Sequence, residues 1–310
     1  MVTRSLTTPW RLVLLLVIGA WPQTVKIASA DDKQGTFLWR MEGPKPSYVF
    51  GTIHLPDPMI TRLKPAVADA IEKSDVVLCE VPLDADSAAK MAKKIRSVAQ
   101  PLSAVLPMDL YNRAMQAIKL AIPNVNPGAL DRMPVWALEG LIRTLDQQAR
   151  YPYRKPLDDV IYEKAQAAGK EVGGLETDEE QLDVLKTLST ADQIKMLRST
   201  LNELDRSHRE GFTEMEELRA FYLAGDLDAL YSKVTHATDK ADLPANVRES
   251  FMNALFTQRN RRMAARIHGK RLIAPQKSYF FAVGAGQLPG PDGVLKLLEK
   301  LGYKLTRVTE

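Results

Sequence analysis

The sequence is short of the residues that many catalytic and structural frameworks need. It holds one cysteine, Cys79, in 310 residues. That excludes an internal disulfide framework and any cysteine-rich zinc ribbon. It holds four histidines, His54, His208, His236 and His268, and none falls in a His-Glu-x-x-His helix. There is no Gly-x-Ser-x-Gly elbow and no P-loop, so two common hydrolase templates are absent. Gly284-Ala285-Gly286 with Gly290 imitates a dinucleotide fingerprint. Its third glycine comes one residue late, Pro289 intrudes, and too little chain follows for a βαβ unit. No low-complexity linker or short-period repeat divides the chain, which favours one domain. The basic stretch Arg259–Arg266 has no interleaved aromatics, so it does not read as a nucleic-acid patch.

What is present begins with an N-terminal targeting pattern. Arg4 and Arg11 precede an apolar run over 12–21, Pro22 breaks it, and Ala28-Ser29-Ala30 supplies small residues for cleavage. The run is about half of the ~20 residues that span a bilayer. Residues 1–30 are therefore expected to be a signal peptide cleaved after Ala30, leaving 31–310 as a single domain with no stable membrane span, periplasmic or secreted. The charge count then changes meaning. The whole chain has 42 basic and 38 acidic residues and a net charge of +4. Three basic residues (Arg4, Arg11, Lys26) and no acidic ones lie in the leader, so the remainder is 42 − 3 = 39 against 38. A near-neutral domain gives no reason to expect a nucleic-acid partner.

Beyond the leader, β-like stretches at 37–41 and 48–53, an apolar run at 76–81, a short segment at 170–173 and the segments 279–283 and 304–308 read as strands. Helical spacing fills 63–73, 86–98, 107–121, 134–149, 157–168 and the stretch to about 270. Thr177 with Glu180, and Thr190 with Gln193, read as capping boxes. The order implies an α/β (α+β) fold: a central mixed β-sheet with a large helical insertion. Val49-Phe50-Gly51-Thr52-Ile53-His54-Leu55-Pro56 echoes Ala282-Val283-Gly284-Ala285-Gly286-Gln287-Leu288-Pro289. Each is an apolar strand followed by Gly-x-x-(His or Gln)-Leu-Pro, which suggests two pseudo-repeated β–α halves.

Four polar residues stand just past apolar strands: His54, Glu80, Glu176 and Gln287. Strand ends are where α/β folds place their sites. An imidazole with two carboxylates fits a divalent-metal shell or a general acid–base pair. A rim charge or helix cap is the plain alternative for each glutamate. Arg259 sits in the apolar stripe Phe251, Leu255, Met263, Ile267. It either pairs with a buried acid such as Glu80 or Glu176, or snorkels to the edge. Arg261, Arg262 and Arg266 read as a solvated face, and so do His208, His236 and His268.

These motifs, together with Gly174-Leu175-Glu176-Thr177, Glu180-Gln181-Leu182, Arg259-Asn260 and the closing Gly302-Tyr303, resemble the TraB/GumN family. That family includes the PrgY proteins and is related to Tiki-type secreted metalloproteases. The resemblance covers nearly all of 31–310 and implies paired β–α halves and a metal-dependent peptidase-like hydrolase. It implies a peptide or protein substrate and a divalent metal (Mn, Co or Zn). By it, His54 and Glu80 map to the metal or catalytic site, and Glu176 and Arg259 to the surrounding cluster. Gly51, Gly284, Gln287 and Asn260 then line the substrate. Family members usually carry histidine where this chain has Gln287. An amide is a poorer ligand than imidazole for a borderline ion and no base near neutral pH. A peptide-sequestering protein on the same scaffold is the second implied reading.

Overall fold

A computed structural model describes residues 36–96, 98–236 and 238–309. The proposed leader and its cleavage point lie outside the described residues. Six strands form one mixed sheet: β1 (Leu38–Met41), β2 (Ser47–Thr52), β3 (Val76–Cys79), β4 (Glu171–Gly174), β5 (Tyr279–Gly284) and β6 (Leu305–Arg307). Their order is β4-β3-β5-β2-β1-β6. The pairs β4–β3, β3–β5 and β5–β2 are parallel, while β1 runs antiparallel to both β2 and β6. This is the mixed sheet that the apolar runs implied.

The parallel strands β2, β3 and β5 are buried along their whole length, as strands covered on both faces must be. That is why they read as unbroken apolar runs, and Cys79 lies among them, buried. The echoing strands β2 and β5 sit side by side at the centre. Gly51 pairs with Val283 and Thr52 with Gly284, so the two motifs are offset by one residue. All four parallel strands deliver their C-terminal ends to one edge, which brings His54, Glu80, Glu176 and Gln287 toward a common rim.

Helices fill the long connections β3–β4 and β4–β5. One apolar cluster surrounds the sheet. A second lies within the helical insertion, around Leu110, Ile118, Leu138, Leu141, Leu197 and Leu201. Three local expectations need correction. The segment 134–149 is two helices, Val135–Arg143 and Leu145–Arg150. Thr144 divides them, its hydroxyl bonding back to the carbonyls of Gly140 and Leu141. The helix Thr190–Glu210 is capped by Ser189 rather than Thr190: the Ser189 side chain accepts from the Asp192 N–H. The stripe leading to Arg259 is not continuous α-helix. Residues Asn253–Gln258 form a π-helical turn before the helix Arg259–Ile273. The Thr177–Glu180 capping box has both of its bonds, and Thr213–Glu216 forms another.

Candidate active site at the strand ends

The site is assembled in two parts. The first is an ion-pair clasp at the ends of β3 and β4. Parallel pairing continues past the strands, with the Glu176 N–H donating to the Glu80 carbonyl at 2.6 Å. The two glutamates are thus neighbours by backbone register. Between them lies Arg259, fully buried. Its Nε donates to Glu176 Oε2 at 2.8 Å and its Nη2 to Glu80 Oε2 at 2.7 Å. Glu80 Oε1 accepts the Gly284 N–H at 2.7 Å, and its Oε2 also accepts from Gln181 Nε2 at 3.2 Å. Burial alone would lower the Arg259 pKa, but the charges of Glu80 and Glu176 outweigh it and raise it.

Two residues expected on a solvated face belong to this clasp. Arg262 Nη1 donates to Glu176 Oε1 at 2.8 Å. Arg266 donates to the Leu175 carbonyl at 2.7 Å and forks onto both oxygens of Glu180. The Arg266 bond, opposed by partial burial, brings Glu180 down to about 2. Helical spacing puts Arg262 and Arg266 beside the buried Arg259, near enough for their long side chains to reach the same acidic rim. Arg261 is exposed and pairs with Asp292 at 3.2 Å. His208 and His236 are exposed as expected, whereas His268 is half-buried and bonds the Tyr303 hydroxyl at 2.9 Å.

The second part is the loop after β2. A Cβ on Gly51 would come within 2.7 Å of Leu288 Cδ1 and 3.2 Å of Ala285 Cα, so glycine lets β2 press against the turn after β5. His54 is buried, and its Nδ1 lies 3.0 Å from Asp158 Oδ2. Thr52 Oγ1 donates to the other oxygen, Asp158 Oδ1, at 2.7 Å. The Tyr222 hydroxyl donates to the Gly51 carbonyl at 2.8 Å. Farther on, Asp57 accepts from the Tyr151 hydroxyl at 3.0 Å, from Met59 N–H at 2.7 Å and from Arg219. The helical insertion thus ties the loop down at several points.

Gln287 and Asn260 are buried and bond to backbone carbonyls. Gln287 Nε2 donates to the Leu255 carbonyl in the π-helical turn at 3.2 Å. Asn260 Nδ2 donates to the Asp292 carbonyl at 2.9 Å. Among the described residues, Gln287 Oε1, Asn260 Oδ1 and Arg259 Nη1 are buried and find no hydrogen-bond partner. Buried polar atoms are normally paired, so these three are where a bound water or ligand would find partners.

The sequence model of the TraB/PrgY/gumN family matches residues 37–307. The chain belongs to this family. Among its relatives, the chain is 26% identical over 323 residues to "Metalloprotease TIKI1" of Danio rerio, covering 92% of this chain and 65% of that protein. It is 28% identical over 312 residues to "Metalloprotease TIKI2" of Danio rerio, covering 87% and 60%. The human "Metalloprotease TIKI1" is 27% identical over 315 residues, covering 87% and 61%. The chain thus spans less than two thirds of the length of these relatives. No solved structure matches.

The names of these relatives raise the question of a metal. Among the described residues, no three His, Cys, Asp or Glu side chains come together as a ligand set. Every carboxylate oxygen of Glu80 and Glu176 already accepts an N–H, so an ion there would have to displace a guanidinium or the Gly284 amide. The residues present therefore do not fit a metal in this arrangement. Of the residues singled out in the sequence, Glu80, Glu176, Arg259 and Gly284 are joined directly. His54 is bound instead to Asp158 and, beyond Thr52, to the strand end. Asp158, Thr52 and Tyr222 were missed. The signal for Asp158 is faint, an aspartate in the first turn of the helix Leu157–Ala167, where a capping role would be assumed.

Proposed function

We propose that this chain is a peptidase-like hydrolase whose working group is His54, acting outside the cytoplasm. The observation that carries the reading is a buried imidazole at a strand end, bonded to a buried carboxylate, on a chain whose relatives are named metalloproteases. In this reading residues 31–310 act as one domain. His54 takes a proton from water as it adds to a peptide carbonyl, then returns it to the leaving amine. Arg259 fixes Glu80 and Glu176, and through Glu80 the Gly284 amide, so the rim holds its shape during the reaction. Gln287 Oε1 and Asn260 Oδ1 offer acceptors to substrate N–H groups. Among the described residues, no helix is long and apolar enough to cross a membrane.

The test is a peptide-library digest by purified protein, read by mass spectrometry, with EDTA or with added Mn²⁺, Co²⁺ or Zn²⁺. Cleavage that persists in EDTA supports the reading, and cleavage that requires an added ion, or none under any condition, defeats it. Gln287 favours one second reading, a peptide-sequestering protein on the same scaffold. It stands in place of a histidine, with its amide donor committed to the Leu255 carbonyl. Cleavage that emerges only in Gln287→His would select that second reading.

A further inference from the structure

We propose that Asp158 is the positioning residue that sets the tautomer and orientation of His54, an assignment that rests on the hydrolase reading above. One carboxylate spans two side chains from the same strand end. Its Oδ2 meets His54 Nδ1 at 3.0 Å, while its Oδ1 accepts the Thr52 hydroxyl at 2.7 Å. Thr52 is the last residue of β2 and His54 lies two beyond it, so the pair is fixed relative to the sheet. With one oxygen anchored on Thr52, the other cannot rotate away, and the imidazole plane is held with it. All three groups are buried.

The chemistry follows from the inventory of the groups. A carboxylate only accepts hydrogen bonds, so His54 must present an N–H at Nδ1. In the neutral ring the lone pair is then on Nε2. When Nε2 takes the proton of the attacking water, the imidazolium forms beside a buried negative charge. That charge favours it, and the proton moves on to the leaving amine without residing on Asp158. Nothing in the sequence links position 158 to position 54. The fold does, by setting the start of Leu157–Ala167 against the end of β2.

The inference is tested on the full protein by long-range ¹H–¹⁵N correlation of its imidazoles. Only four histidines contribute, and the His54 signals are assigned by their loss in His54→Gln. The expected wild-type spectrum shows neutral His54 with its proton on Nδ1. In Asp158→Asn, whose amide presents a donor, that preference is lost and the Nε2–H form gains. If cleavage is detected, kcat falls by about 10²–10⁴-fold with a smaller change in KM. Thr52→Val gives the same spectral change to a lesser degree, and serves if Asp158→Asn does not fold. A wild-type spectrum with the proton on Nε2, or one unchanged in both variants, overturns the assignment. The Nδ1–H form in a protein that cleaves nothing defeats the hydrolase reading and leaves the positioning of His54 standing.

Discussion

Arg259→Met removes the centre of the clasp while keeping most of the side chain's apolar volume. Arginine and methionine have similar unbranched stems, so the cavity contribution is small and the effect is mainly electrostatic. The change deletes the bonds to Glu176 at 2.8 Å and to Glu80 at 2.7 Å. Glu176 keeps Arg262, and Glu80 keeps the Gly284 amide and Gln181. Neither carboxylate is stripped completely. Breaking a buried pair costs about 3–5 kcal/mol, and the surviving partners place this one near ~3 kcal/mol. At about 2–4 °C per kcal/mol, Tm should fall by roughly 6–12 °C. Urea titration followed by circular dichroism, with calorimetry in parallel, measures both quantities. The triple variant E80Q/E176Q/R259M should lose less than the single change, because it leaves no uncompensated buried charge. A loss below ~1 kcal/mol in Arg259→Met would refute the clasp, and so would a triple variant much weaker than the single one.

Two further outcomes follow from local geometry. In Gly174→Ala the new Cβ would lie 2.5 Å from Pro82 Cδ and 2.7 Å from the Val81 carbonyl carbon, so the ends of β3 and β4 must part. That overpacking should cost about 1–3 kcal/mol by urea midpoint, whereas Gly169→Ala meets no atom of the described residues within 4 Å and is limited by its positive φ. The pH dependence of Tm should carry two opposite contributions. Glu180 is lowered from 4.5 to about 2, so its stabilisation is present above the ordinary value and is lost as pH falls through 2. Glu214 is raised from 4.5 to about 7 by burial and by the charge of Glu203, so its contribution is lost as pH rises from 4.5 through 7. Glu180→Gln should flatten the acid limb and Glu214→Gln the neutral one. Profiles parallel to wild type would contradict both.

The sequence carried the sheet well because its central strands are buried on both faces and leave uninterrupted apolar runs. Strand-end placement then identified His54, Glu80, Glu176 and Gln287, and Arg259 betrayed itself as a charge inside an apolar stripe. What stayed hidden depends on contacts distant along the chain. Asp158 reads as an ordinary acid in a first helical turn, and only the fold sets it against His54. Arg262 and Arg266 lie on the exposed-looking side of their helix, and only the position of β4 shows that they reach Glu176 and Glu180. The π-helical turn at Asn253–Gln258 leaves the apolar spacing of the sequence nearly unaltered, so periodicity did not reveal it.

The central claim is that this strand-end rim is a hydrolytic site worked by His54. Its most direct test compares peptide cleavage by wild type and His54→Gln, prepared identically and matched for Tm. The account predicts cleavage by wild type and a loss of at least about 10²-fold in the variant. Equal cleavage by the two proteins would contradict it.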